Sequence, residues 1–158
     1  MANNRIELSS GIVAYIDEGG TYDCKVPWLG REIKVRLYSS DENEDDIIES
    51  IKKAFDDFWT NKDSILKKFQ NDIIEKYIPY AAAHEDSVSL LLTEDDFYAD
   101  YWLSEIYIGT GEFDDDMQIT FCSENEENEI SVHRDLETDT ILDFFNGYEE
   151  IYPEDMDL

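Results

Sequence analysis

The chain has 158 residues, with 40 Asp or Glu against 12 Lys or Arg, and a formal charge of −28. That length fits one domain with a sizeable core, and an aromatic content of 13% separates it from acidic tails, which are poor in aromatics. So negative a chain excludes nucleic acid as a direct ligand and disfavours anionic membranes, and no apolar run approaches the roughly 20 residues that span a bilayer.

The charge is lopsided. Residues 1–76 hold 11 basic and 16 acidic side chains, whereas residues 77–158 hold 24 acidic ones and a single base, Arg134. The bland reading is a solvated surface; the sharper one is a docking face for a basic partner. The N-terminus shows no apolar export segment. Cys24 and Cys122 are therefore expected to be reduced thiols in a cytoplasmic protein.

Along the chain, residues 12–16 read as a short strand, followed by a turn at Asp17-Glu18-Gly19-Gly20. Residues 21–28 and 31–38 read as a hairpin, with Ile33, Val35 and Leu37 on one face and Lys34, Arg36 and Tyr38 on the other. The period then becomes helical. Ile47, Ile48, Ile51, Phe55, Phe58 and Trp59 form one stripe, and Ile65, Leu66, Phe69, Ile73 and Tyr77 a second. These predict helices over about residues 44–59 and 62–78, broken at Asn61 and stopped by Pro79.

Residues 88–92 fit a strand or a short buried segment. Thr93 with Asp96 three residues on marks the start of a short helix that runs to about Tyr101. Strands follow over about residues 102–108, 118–122, 130–133 and 141–145, separated by acidic turns. The expectation is one α+β domain over residues 1–147, an antiparallel sheet with two consecutive helices on one face, and an acidic, poorly ordered tail over residues 148–158.

Catalytic and metal-binding patterns fail on spacing. Cys24, His84, Cys122 and His133 lack the local pairs of a zinc site. The stretch from Asp41 resembles half a calcium loop, but Asp46 stands where glycine is needed and Lys52 where glutamate is needed. Asp135, Glu137 and Asp139 fail in the same way. A Cys122–His133 nucleophile pair has no local support, and no nucleophile elbow or phosphate-binding loop is present. No catalytic residue, metal or cofactor is expected.

What remains is surface. Tyr98, Asp100, Tyr101 and Glu105 place aromatics among acids, an arrangement that suits hot-spot anchors for a basic partner. Asp114, Asp115, Asp116, Glu124, Glu126 and Glu127 extend the acidic surface over two turns. These ten residues are the expected partner-binding set.

Three stretches together resemble a known family. They are Trp28-Leu29-Gly30 with the strand through Ile33, Val35 and Leu37; the helix pair with Phe58-Trp59; and Leu92-Thr93-x-x-x-Phe97 leading to Leu103 and Ile106. The pattern is similar to an uncharacterised family of small bacterial domains of unknown function, over roughly residues 22–147, and it implies no established activity. By size, acidity and layout alone the chain also resembles the immunity proteins that neutralise bacterial toxins. The functional expectation is a non-catalytic acidic binding protein, an immunity protein or inhibitor of a basic protein such as a toxin nuclease. The alternatives are a small regulatory or scaffold domain, and an enzyme built on a carboxylate or divalent-metal site.

Overall fold

The computed structural model describes residues 4–125 and 127–156. Nine strands, β1 to β9, are hydrogen-bonded neighbours in chain order, and strands dominate the α+β architecture. The chain divides into two compact units. The first comprises Met1–Lys62 with Glu105–Met117, the second Asp63–Ser104 with Gln118–Leu158.

In the first unit, β1 (Arg5–Glu7), β2 (Val13–Ile16), β3 (Tyr22–Trp28) and β4 (Arg31–Ser39) form antiparallel ladders. The β3–β4 hairpin closes at Leu29-Gly30, both with positive φ (59° and 73°), as a two-residue type I′ turn requires. The alternation of β4 is realised, with Ile33, Val35 and Leu37 fully buried. Helix α1 (Glu44–Thr60) starts where the Asn43 side chain accepts from the Asp45 and Asp46 backbone N–H groups. It buries Ile51, Phe55 and Phe58, and Phe58 meets Trp28 edge-on at 6.0 Å.

The sheet is mixed, which corrects the antiparallel expectation. Strand β5 (Tyr101–Thr110) pairs parallel to β4, with Val35 opposite Ile106 and Leu37 opposite Ile108. Parallel strands need a long crossover, and residues 40–100, which carry the α-helices of the described residues, provide one.

In the second unit, α2 (Lys62–Asp72) continues through a π-turn at Ile73–Tyr77 into α3 (Ile78–Ala83). Pro79 therefore does not end the helix, against expectation. The Ile78 N–H reaches five residues back to Ile73 O, so Pro79 enters in the first turn of α3, where its missing N–H is not required. Val88 to Leu92 is a short buried segment rather than a strand, with Val88, Leu90 and Leu92 inside and Leu91 exposed. Helix α4 (Glu94–Asp100) begins with the Thr93 hydroxyl accepting from Asp96 N–H at 3.1 Å.

Strands β6 (Asp116–Ser123), β7 (Glu129–Asp135) and β8 (Thr140–Phe145) lead to β9 (Glu150–Ile151). The stretch expected as a poorly ordered tail thus contains a strand paired with β8, and it buries Ile151 and Met156. Among the described residues, no helix is long and apolar enough to cross a membrane.

Candidate functional site

The acidic side chains fall into two groups, those engaged inside the chain and those that are not. In the first unit, the Arg36 guanidinium donates to Asp17 (2.9 Å), Thr21 (3.1 Å) and Asp23 (3.3 Å), and lies 3.9 Å from Glu105. The Thr21 hydroxyl and backbone, with Arg36 and the Gly19 N–H, hold the Asp17 carboxyl well below the usual carboxylate range. Glu105, expected to meet a partner, thus sits beside Arg36, with Lys34 at 4.0 Å.

The Asp114–Asp116 turn is also built into its unit. Gly109 has no side chain, and the space a Cβ would fill holds the Asp116 carboxylate. Burial, then Asp116 and Asp114, push the nearby Tyr107 phenol up to about 12. Asp114 is half-buried and Asp115 exposed. Burial pushes the Cys24 thiol up to about 12, which keeps it protonated and unreactive at neutral pH.

In the second unit, Arg134 is drawn inward. Its Nε and Nη2 donate to the two Asp72 oxygens at 2.6 and 2.7 Å, with the side chains only 11% and 6% exposed. Its Nη1 also meets Asp139, which Lys68 approaches at 2.9 Å. The sole base of residues 77–158 is therefore held in an ion pair and does little to offset the acidic surface. His133 stands opposite Asp143 on the β7–β8 ladder, with Nδ1 3.3 Å from Oδ2.

Some of the remaining acids border a concavity. Within the second unit a groove of about 550 Å³ is lined by Leu90, Leu91, Leu92, Asp96, Asp100, Tyr101, Ser123, Glu124, Asn125, Glu127 and Asn128. It collects four residues of the expected set: Asp100, Tyr101, Glu124 and Glu127. Tyr98 is exposed on α4 and is not part of the lining; Glu126 lies outside the described residues. Sequence reasoning missed Asp96 and the leucine wall. In the sequence Asp96 serves as a helix-start signal, although its spacing of four from Asp100 puts both carboxylates on one side of α4.

Each wall of the groove is fixed from behind. The buried Tyr77 hydroxyl donates to Leu90 O at 2.6 Å and accepts from Asn146 Nδ2 at 3.1 Å. The Asn146 side-chain oxygen accepts in turn from the Tyr148 and Glu149 N–H groups, and Glu149 accepts from Ser89 N–H at 2.8 Å. The Tyr101 ring is stacked on Phe97, which meets Phe121 edge-on at 5.2 Å. Burial, then Asp100 and Asp96, raise the Tyr101 phenol above its ordinary value. The turn that carries Glu124 and Glu127 is closed by Ser123 N–H to Asn128 O (2.9 Å) and by Asn128 N–H to the Ser123 hydroxyl (3.0 Å). Asn125 Oδ1 accepts from the Ser123 hydroxyl and from Glu127 N–H.

Among the described residues, the carboxylates of Asp96, Asp100, Glu124 and Glu127 make no ion pair within the chain. Also among the described residues, no group of three or more His, Cys, Asp or Glu could hold a metal ion. Chemically, the groove offers hydrogen-bond acceptors and negative charge beside an exposed leucine.

Residues 11–126 match the family model described as a domain of unknown function, DUF6985, and the chain belongs to that family. The match takes in the Leu90–Leu92 wall, α4 and the start of the β6–β7 turn; Glu127 and Asn128 lie just beyond it. No curated protein and no solved structure gives a significant match.

Proposed function

We propose that this DUF6985 member is a non-catalytic binding protein whose second-unit groove receives a basic segment of a partner protein. One observation carries the reading. Four carboxylates from two elements line a pre-formed groove without an ion pair of their own among the described residues, while the one cation of the C-terminal half is turned to Asp72. Acids paired inside the chain are neutralised by its own cations; the carboxylates of these four remain available to an external cation. Their field also speeds encounter with a basic partner, an effect that salt screens over roughly 8–10 Å.

An immunity protein or inhibitor of a basic toxin such as a nuclease is the finer form of this reading. A surface that binds phosphate is met well by a surface of carboxylates, and close charge pairs at such interfaces add coupling energy.

The test is affinity capture from the source organism with the full chain, at low and high salt. It is run in parallel with a variant carrying Asp96→Asn, Asp100→Asn, Glu124→Gln and Glu127→Gln. One stoichiometric basic protein, captured at low salt by the native chain and lost with the variant, is the expected result. A partner retained equally by the variant, or a complex indifferent to salt, would refute the assignment.

A further inference from the structure

We infer that the segment received by the groove presents an arginine beside an aliphatic or aromatic side chain, recognised by guanidinium geometry as well as by charge. This rests on reading the groove as the partner site and specifies what enters it.

The groove is mixed in character. Leu91 is 49% exposed, between Leu90 and Leu92, which are buried. An exposed leucine held in that way gives an apolar surface that a neighbouring side chain of the segment can cover. The half-buried Tyr101 ring is a second surface, backed by Phe97 at 5.9 Å and an interplanar angle of 28°. The carboxylates come from two elements, Asp96 and Asp100 from α4 and Glu124 and Glu127 from the β6–β7 turn.

Lysine and arginine differ in how they use such a place. An ammonium is a compact, strongly hydrated charge with no flat face to lay against a ring. A guanidinium is planar and weakly hydrated; it stacks on an aromatic face and directs parallel N–H groups at carboxylates. A tyrosine ring beside acids therefore selects arginine. The groove volume of about 550 Å³ accommodates an arginine and one neighbouring side chain. Its walls are held by Tyr77, Asn146, Phe97 and the Ser123–Asn128 bonds, so the cost of ordering on binding falls on the incoming segment.

The experiment titrates the full isotopically labelled chain with three capped peptides that are identical except for Arg, Lys or citrulline before a leucine. Amide shifts are followed at each step. With the arginine peptide, saturable shifts are expected at Leu90–Leu92, Asp96, Tyr101, Ser123, Asn125 and Asn128. The lysine peptide is expected to bind about five-fold more weakly at the same residues, and the uncharged citrulline peptide not to saturate. Leu91→Ser, at an exposed position, is expected to weaken the arginine peptide by roughly three- to five-fold and leave the spectrum otherwise native. Equal affinity for Arg and Lys at the groove would overturn the arginine inference and leave the basic-partner reading standing. No saturable binding, or shifts spread over all acidic residues, would overturn both.

Discussion

Replacing Arg134 by Ala removes both donors to Asp72 and leaves its carboxylate 6% exposed in the native packing. Bonds of 2.6 and 2.7 Å to the two oxygens are charge-assisted, and a carboxylate deprived of them has neither partner nor full hydration. Breaking a buried pair in this way costs about 3–5 kcal/mol, out of a total stability of roughly 5–15 kcal/mol. The guanidinium also lies 6.0 Å from the Phe69 ring, so its removal opens the contact between α2 and β7. Urea unfolding followed by tryptophan fluorescence measures the effect, because Trp102 belongs to this unit. With a slope near 2 kcal/mol per molar, the midpoint falls by roughly 2 M.

A double variant separates charge burial from simple loss of packing. Asp72→Asn combined with Arg134→Met removes both charges and is expected to recover most of the loss. A deficit under about 1 kcal/mol, or a double variant no more stable than Arg134→Ala, would show that the pair is not a buried charge pair in the sense argued.

Leu29→Asn is expected to stabilise the hairpin by about 1 kcal/mol, because leucine at φ 59° is strained where asparagine is tolerated; thermal melting with no gain would remove the strain argument. Tyr77→Phe leaves Leu90 O and Asn146 without the phenol and is expected to cost about 1–3 kcal/mol in urea unfolding. The Tyr77 phenol is pushed up to about 12 by burial, so its stabilisation is present below pH 10 and lost as pH rises towards 12. Tyr77→Phe should lack that part of the alkaline loss, and identical alkaline profiles would contradict it. Asp100→Asn relieves an acid at the C-terminal end of α4 and a like-charge spacing with Asp96. A gain of about 0.3–1 kcal/mol in stability is expected together with weaker binding of the arginine peptide. A variant that gains stability and binds unchanged would detach Asp100 from the groove's function.

The parts of the fold that a single segment can encode were legible. The alternation through Ile33, Val35 and Leu37, the Asn61 break and the Thr93 cap all rest on neighbours within one turn or one strand. What escaped depends on distant partners or on too few residues. Strand β5 has the same apolar alternation whether it runs parallel or antiparallel to β4, so direction was not written in either strand. Strands β1 and β9, of three and two residues, are too short to carry a period. Pro79 misled because its usual effect presumes regular α-helical bonding, which the π-turn had already changed. The groove was half legible. Its acids were visible as a composition, but the leucine wall depends on Tyr77 reaching thirteen residues along the chain to Leu90.

The useful distinction among 40 acidic side chains is therefore engagement, not abundance. Asp17, Asp23 and Glu105 surround Arg36, and Asp72 and Asp139 surround Arg134, so their removal first weakens the fold. At the other extreme, Asp100 opposes the dipole at the end of α4, and Glu124 and Glu127 project from a turn held by other atoms. Among the described residues, no hydrogen bond or ion pair is made by the carboxylates of Asp100, Glu124 and Glu127. On the proposed reading, these acids gather around one groove with an exposed leucine because a basic segment enters there, and the capture and peptide experiments separate that role from solubility alone.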